Sequence, residues 1–367
     1  MAKGVKMENK LGVSVYCGIG SSIEEICAYL KEAASYGVTT VFTSLQLPEA
    51  DSETLLRDFP KMTEYAHSLG MIVDADISKK TGEYYGINHR DLKEIKKLGV
   101  DVARLDYGYS YEDMAKMTFN EEGLLIEMNA THVTEEKLQE LVKYPLDKDR
   151  LRFCYNFYPL PYTGQRYNET KELNDLIHKY GFKVMGFIPA TAHHRVGTGE
   201  GLPSIEKQRN QSTRINIQEG YLCGFDDICF GDDFASTEEL QMLAKYKKGE
   251  TVFRMKPIIS GEVIDWVANN EHLPWRYNLD AIVRSWKGCG CPLNVNDIPA
   301  TERPRGTVTI IKSNGNHERY HGEIVISKID LPKDENYATI GHIVEEDFVL
   351  LDDFISVGNN FRIEIVK

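Results

Sequence analysis

No apolar stretch of the 367-residue chain approaches the roughly 20 residues that cross a bilayer. The N-terminal MAKGVKMENK lacks the apolar run and small-residue cleavage site of a signal peptide. Basic residues are scattered singly against a formal net charge of -13, so no cationic stripe awaits nucleic acid or an anionic membrane surface. The seven cysteines are odd in number and without framework spacing. Cys17, Cys27, Cys154, Cys223 and Cys229 stand in apolar contexts and are expected as reduced, buried thiols. Cys289-Gly-Cys291 has no second ligand pair at zinc-site spacing, so no metal is expected. Gly18-Ile-Gly20 lacks the third glycine and the matched acidic residue of a dinucleotide fingerprint, and no cofactor is expected. Together these absences point to a cytoplasmic protein acting on a small molecule. Self-association into a homo-oligomer is left open.

What is there is an ordinary globular composition, 42% hydrophobic and 27% charged, long enough for two domains. From Leu11, β-rich runs alternate with stretches of helical periodicity. Strands are expected at 11–16, 39–47, 71–77, 100–107, 124–129, 151–156, 183–188 and 227–230, with helices between most of them and another over 237–246. Eight strand–helix units in about 240 residues is the count of a (β/α)8 TIM barrel. Past residue 248 the texture turns β-rich, with runs at 306–311, 323–327 and 361–366 and a hairpin signal at Ser313-Asn-Gly-Asn316. The expected division is a barrel over 1–248 and a smaller β domain over 249–367.

Polar residues at the C-terminal ends of barrel strands usually carry the chemistry. In VDVARLDYG (100–108), strand alternation puts Arg104 and Asp106 on one face. Asp74 and Asp76 share a face of the third strand, Glu127 ends the fifth, and Asp232 and Asp233 follow the eighth. Strands three to five can gather their carboxylates into one cluster, and crowded like charges raise the pKa of one member. The alternative for any one of them is a helix cap or a partner for Arg104 or Arg152.

The stretches LGVSVYCG, VFTSLQLPE, MIVDADIS and GFIPATAHHRVGTGEGLP resemble a bacterial family, the 6-phospho-N-acetylmuramidases of glycoside hydrolase family 170. The resemblance implies a TIM barrel followed by a cyclophilin-like β domain, although residues 250–367 show no isomerase active-site pattern. It also implies cytoplasmic hydrolysis of a phosphorylated amino-sugar disaccharide, N-acetylmuramic acid 6-phosphate joined to N-acetylglucosamine, in cell-wall recycling. Glycoside hydrolysis needs a proton for the leaving oxygen and a group to stabilise or trap the oxocarbenium-like centre. The seventh strand, KVMGFIP, offers no carboxylate as a nucleophile. The implied substrate's own 2-acetamido oxygen can attack instead, with Asp74 and Asp76 as the assisting pair and Asp106 or Glu127 as alternates.

Gln46, Asn129, Asn156 and Tyr158 suit hydroxyl recognition, while Tyr16 and Tyr107 are read as packing. The loop from Thr191 to Gly201 is expected to hold the 6-phosphate. Its glycines let backbone N–H groups approach an anion, Arg195 offers a guanidinium fork, and Thr198, His193 and His194 add donors. Pro203 and Ser204 are expected to open a short helix there. Two rival readings are weaker. A phosphosugar aldolase or isomerase needs a strand-end lysine or a metal cluster, and neither is visible; a sugar-phosphate sensor would use the β domain as output.

Overall fold

The structure, a computed structural model, describes residues 10–45, 49–105, 108–197, 199–286, 288 and 290–367. It divides into two compact units, Met1–Lys245 and Tyr246–Lys367.

In the first unit eight parallel strands close a barrel in sequence order. They are β1 (Leu11–Ser14), β2 (Thr40–Ser44), β3 (Ile72–Ile77), β4 (Val102–Leu105), β5 (Leu125–Asn129), β6 (Leu151–Cys154), β7 (Lys183–Ile188) and β8 (Asp227–Asp233). The helices between them start where the sequence supplies caps. Ser22 and Glu25 form a capping box on the helix Ile23–Ser35, Asp51 accepts from the Thr54 N–H at Ser52–Ser68, and Thr134 caps Glu135–Leu141. Three further helices escape the periodicity: Lys79–Tyr85, Tyr111–Met117 and Thr213–Cys223. The first two are short. The third is buried at every residue, including Arg214, Asn216 and Glu219, so it has no polar stripe to betray it.

Inside the barrel, apolar and charged side chains are segregated. Tyr16, Phe42, Cys154, Met185, Phe187 and Cys229 form one buried cluster, with Phe157 packed on it. Phe187 meets Phe42 and Phe157 edge-on, with centroids 4.8 and 5.3 Å apart. The charged side chains come mainly from β3 to β6.

The N-terminal end of the barrel is tied by two like devices. Asp101, just before β4, accepts from the Val73 N–H at 2.9 Å and bonds His67 Nε2 at 2.8 Å. Asp226, just before β8, accepts from the Val184 N–H at 2.9 Å and bonds His178 Nε2 at 2.9 Å. Each carboxylate thereby pins a neighbouring strand and the end of a helix.

The second unit is a six-stranded sheet in the order β10-β12-β11-β13-β9-β14. Its strands are β9 (Glu250–Pro257), β10 (Ile282–Arg284), β11 (Thr307–Ile311), β12 (Ile324–Ser327), β13 (Tyr337–Ile343) and β14 (Asn360–Ile365). All pairings are antiparallel except β14 with β9. The hairpin signalled at Ser313–Asn316 is present, with a connection longer than a two-residue turn. β11 and β12 pair antiparallel, and the connection between them runs from 312 to 323 and contains a 3-10 turn at Glu318–Tyr320. The Gly315 backbone does not take the positive φ that a two-residue turn needs.

Candidate active site

Parallel register places Asp76 beside Arg104, Arg104 beside Glu127, and Glu127 beside Arg152. Alternation along each strand then turns Asp74, Asp76, Arg104, Glu127, Asn129 and Arg152 to the same side. That side is the barrel interior, because Arg152 on β6 reaches Asp74 on β3 and Asp227 on β8, neither of them a neighbouring strand.

The interior groups lie in two layers. The deep layer is centred on Arg152, whose Nη2 donates to Asp74 Oδ2 at 2.5 Å, Nε to Glu127 Oε2 at 2.5 Å and Nη1 to Asp227 Oδ2 at 3.0 Å. Asp74 and Glu127 are wholly buried and Arg152 is nearly so. Burial works against the Arg152 charge, but Glu127, Asp74 and Asp227 outweigh it and hold the guanidinium protonated. Three carboxyls share that cation, so burial and the Glu127 charge push the Asp74 carboxyl up, against the pull of Arg152 and Arg104.

The upper layer is centred on Arg104. Its Nη1 donates to Asp76 Oδ1 at 2.6 Å and its Nη2 to Asn156 Oδ1 at 2.6 Å, while Nε stands 3.7 Å from Glu127 Oε1 in the layer below. Asn129 Nδ2 donates to the same Asn156 oxygen at 3.0 Å. The Asn156 carbonyl accepts from Ser204 Oγ at 2.8 Å, and the Phe187 N–H donates to that hydroxyl at 2.9 Å. Asp76, Asn129 and Asn156 are each partly open, the Asp76 side chain at 13% exposure.

The remaining expected site residues are placed as follows. Asp106, Tyr107, Gln46, Thr198 and Cys289 lie outside the described residues. Tyr158 is half-buried, its hydroxyl accepting from Gln165 Nε2 at 2.5 Å. Tyr16 is buried, and its hydroxyl donates to the Gly231 carbonyl at 2.7 Å. His193 and His194 are exposed. Arg195 is buried; its guanidinium lies 5.0 Å from the Tyr16 ring centroid and 5.6 Å from that of Phe157, and Nη2 donates to Glu49 at 2.9 Å. Pro203 and Ser204 do not open a helix. Ser204 exchanges backbone hydrogen bonds with the end of β7 and with Gln165, and a 3-10 turn begins only at Glu206.

Two devices that shape the loops at this end had little signal in the sequence. Asp232 accepts from the backbone N–H groups of Ala190 at 3.1 Å, Arg195 at 2.9 Å and Leu202 at 2.9 Å, clamping the loop after β7. Glu206 accepts from the N–H groups of Tyr162 and Gly164 and from Arg209, which in turn donates to the carbonyls of Glu200, Gly201 and Tyr158. The Arg209 hydrogen bonds hold the Glu206 carboxyl down at about 2. Glu-x-x-Arg was the only visible hint of that second device.

A closed eight-stranded barrel with Asp76, Asn129 and Asn156 at or near the C-terminal ends of their strands, above a buried cluster of carboxylates and a guanidinium, is the arrangement of a (β/α)8 enzyme. The chain belongs to the 6-phospho-N-acetylmuramidase family, whose N-terminal part matches residues 11–245 and whose C-terminal part matches residues 282–364, and is thus a glycoside hydrolase. It is similar to an uncharacterized B. cereus protein of known crystal structure at 26% identity over 98% of this chain and 100% of that one, with a TM-score of 0.79. A conserved Enterococcus faecalis protein of unknown function is 27% identical over 97% of this chain and 96% of that one, with a TM-score of 0.66. No curated protein matches the chain. Among the described residues no group of histidine, cysteine and carboxylate side chains is arranged to hold a metal ion, and no helix is long and apolar enough to cross a membrane.

Proposed function

We propose that the barrel hydrolyses the bond between N-acetylmuramic acid 6-phosphate and N-acetylglucosamine, in cytoplasmic recycling of the cell wall, with the substrate's 2-acetamido oxygen attacking the anomeric carbon. The observation that carries this reading is the upper layer. Asp76 is more open than Asp74, Glu127 or Asp227, and the Arg104 guanidinium donates to it at 2.6 Å. A carboxylate oxygen there accepts the acetamide N–H, turns the carbonyl oxygen toward the anomeric carbon and stabilises the charge that develops on the closing ring. Asn129 and Asn156, already cross-linked, present amide edges to sugar hydroxyls. Asp74 and Glu127 act as positioning residues: they fix Arg152 and, through Glu127, the underside of Arg104.

The 6-phosphate is assigned to the loop after β7. Arg195 is held against Tyr16 and Phe157, and its present partner Glu49 is a 41%-exposed carboxylate that a phosphate dianion can displace. Gly197, Gly199 and Gly201 all take positive φ in that loop, which brings backbone N–H groups close to an anion at no steric cost. Membership of a hydrolase family takes the place of the aldolase, isomerase and sensor readings. Incubation with the phosphorylated disaccharide, followed by mass spectrometry, should show N-acetylmuramic acid 6-phosphate and N-acetylglucosamine in equal amounts. A thiazoline analogue should inhibit strongly, and recovery of a glycosylated aspartate or glutamate would overturn the acetamide mechanism.

A further inference from the structure

Every carboxylate so far described in the barrel has its charge engaged. Asp74, Glu127 and Asp227 are bonded to Arg152, Asp76 to Arg104, and Asp232 to three backbone N–H groups. A carboxyl so bonded has to give up those partners before it can hand a proton to a leaving group. Asp233, the last residue of β8, is different. It is 4% exposed, yet among the described residues no cation and no hydrogen-bond donor beyond its own backbone N–H is bonded to it. Asp233 is among the residues that line a cavity of about 710 Å³, together with His193 and His194 from the loop after β7.

The backbone is built irregularly at this point. The β1–β8 ladder runs from Gly12 opposite Cys229 to Ser14 opposite Asp233, so extra residues of β8 are squeezed out between them as a bulge. Gly231 lies in that bulge because the Leu202 carbonyl would come within 2.3 Å of any Cβ there. The next residue after Asp233, Phe234, has a φ of 61°, a conformation that a bulky side chain rarely takes. It is kept there by the Tyr29 ring, 4.9 Å from its own, and by the Ala235 N–H, which donates to the Tyr29 hydroxyl. Strain of this kind clusters where a side chain must be aimed. Burial, with the Asp232 charge beside it, also raises the Asp233 carboxyl above the usual range, although Arg195 and His193 pull the other way.

We propose that Asp233, aimed by the β8 bulge and the strained Phe234 into the adjoining cavity, is the proton donor to the glycosidic oxygen. This rests on the hydrolase reading above. In the first step the Asp233 proton passes to the glycosidic oxygen, the anomeric C–O bond breaks with its electron pair going to that oxygen, and the acetamido oxygen bonds to the anomeric carbon. N-acetylglucosamine leaves with a free hydroxyl. Water then adds to the anomeric carbon, the ring C–O bond returns its electrons to the acetamide, and the water's second proton restores the Asp233 carboxyl.

The test compares two leaving groups in the full chain: the phosphorylated disaccharide, which needs a proton to depart, and the 4-nitrophenyl glycoside of N-acetylmuramic acid 6-phosphate, which does not. Asp233→Asn should lower kcat on the disaccharide by about 10²–10⁴-fold and on the aryl glycoside by less than about 10-fold. Asp233→Ala is measured in parallel, and whichever variant keeps the wild-type circular dichroism and cooperative unfolding decides. Equal losses on both substrates, or near-normal turnover of the disaccharide, would overturn the assignment while leaving the hydrolase reading intact. A wild-type enzyme that releases no N-acetylglucosamine would overturn that reading and the assignment with it.

Discussion

The deep and upper layers of the barrel each centre on an arginine, Arg152 on β6 and Arg104 on β4, and β3 sends one aspartate to each, Asp74 below and Asp76 above, yet the two layers are built differently. Around Arg152 the groups are closed to solvent and each of the three guanidinium nitrogens donates to an acid. Such a cluster gives little net stability over a well-packed apolar core, but removing its cation leaves buried charges without compensation. Around Arg104 one acid is replaced by the Asn156 amide, and Asp76 reaches the opening. On the function proposed above, depth along a barrel strand separates scaffold from site, and chemical type alone does not.

Several substitutions would sharpen or break that contrast. Arg152→Met should have the largest effect on the fold, destabilising it by about 3–5 kcal/mol in urea unfolding, because three buried carboxyls lose the cation they are all bonded to. A loss under about 1 kcal/mol would mean the deep layer is hydrated rather than closed. Asp76→Asn keeps the shape and an acceptor for Arg104 but removes the charge. It should cut turnover by about 10²–10³-fold while leaving the unfolding midpoint close to wild type. Asp74→Asn should reverse the pattern, costing stability more than turnover, and equal kinetic losses in both would erase the division into layers. Arg195→Ala should weaken the phosphorylated substrate by about 2–3 kcal/mol in kcat/KM and leave the dephosphorylated disaccharide nearly unchanged, since bonds to a charged group are lost.

The smallest effect concerns the loop device outside both layers. The folded Glu206 carboxyl titrates at about 2, below its unfolded value near 4.5, so its contribution to stability is complete above the unfolded value. That contribution is lost as pH falls from there toward 2. Native-state proteolysis or hydrogen exchange should therefore show 158–166 loosening between pH 5 and pH 3 ahead of the barrel strands, and Glu206→Gln should loosen the same segment at pH 7.

Much of this was legible in the amino-acid order. Period-two runs such as MIVDADIS, with caps like Ser22 and Asp51 before each periodic stretch, determine the strands and most helices locally, because backbone preference and burial pattern there need only near neighbours. The same alternation put Asp74 and Asp76 on one face, and the loop after β7 announced itself by its glycines. The buried helix Thr213–Cys223 was illegible because a segment covered on all sides carries no stripe, and the Asn-Gly signal marked the β11–β12 hairpin without giving the length of its connection. Nor could sequence tell Asp74 from Asp76 in depth, or show that Arg152 would gather acids 25, 78 and 75 residues away. Closing the sheet into a barrel decided those matters. Only the closed circle brings β3, β5, β6 and β8 to one interior, where the dielectric, and with it the cost of each charge, depends on how far a residue sits from the open end.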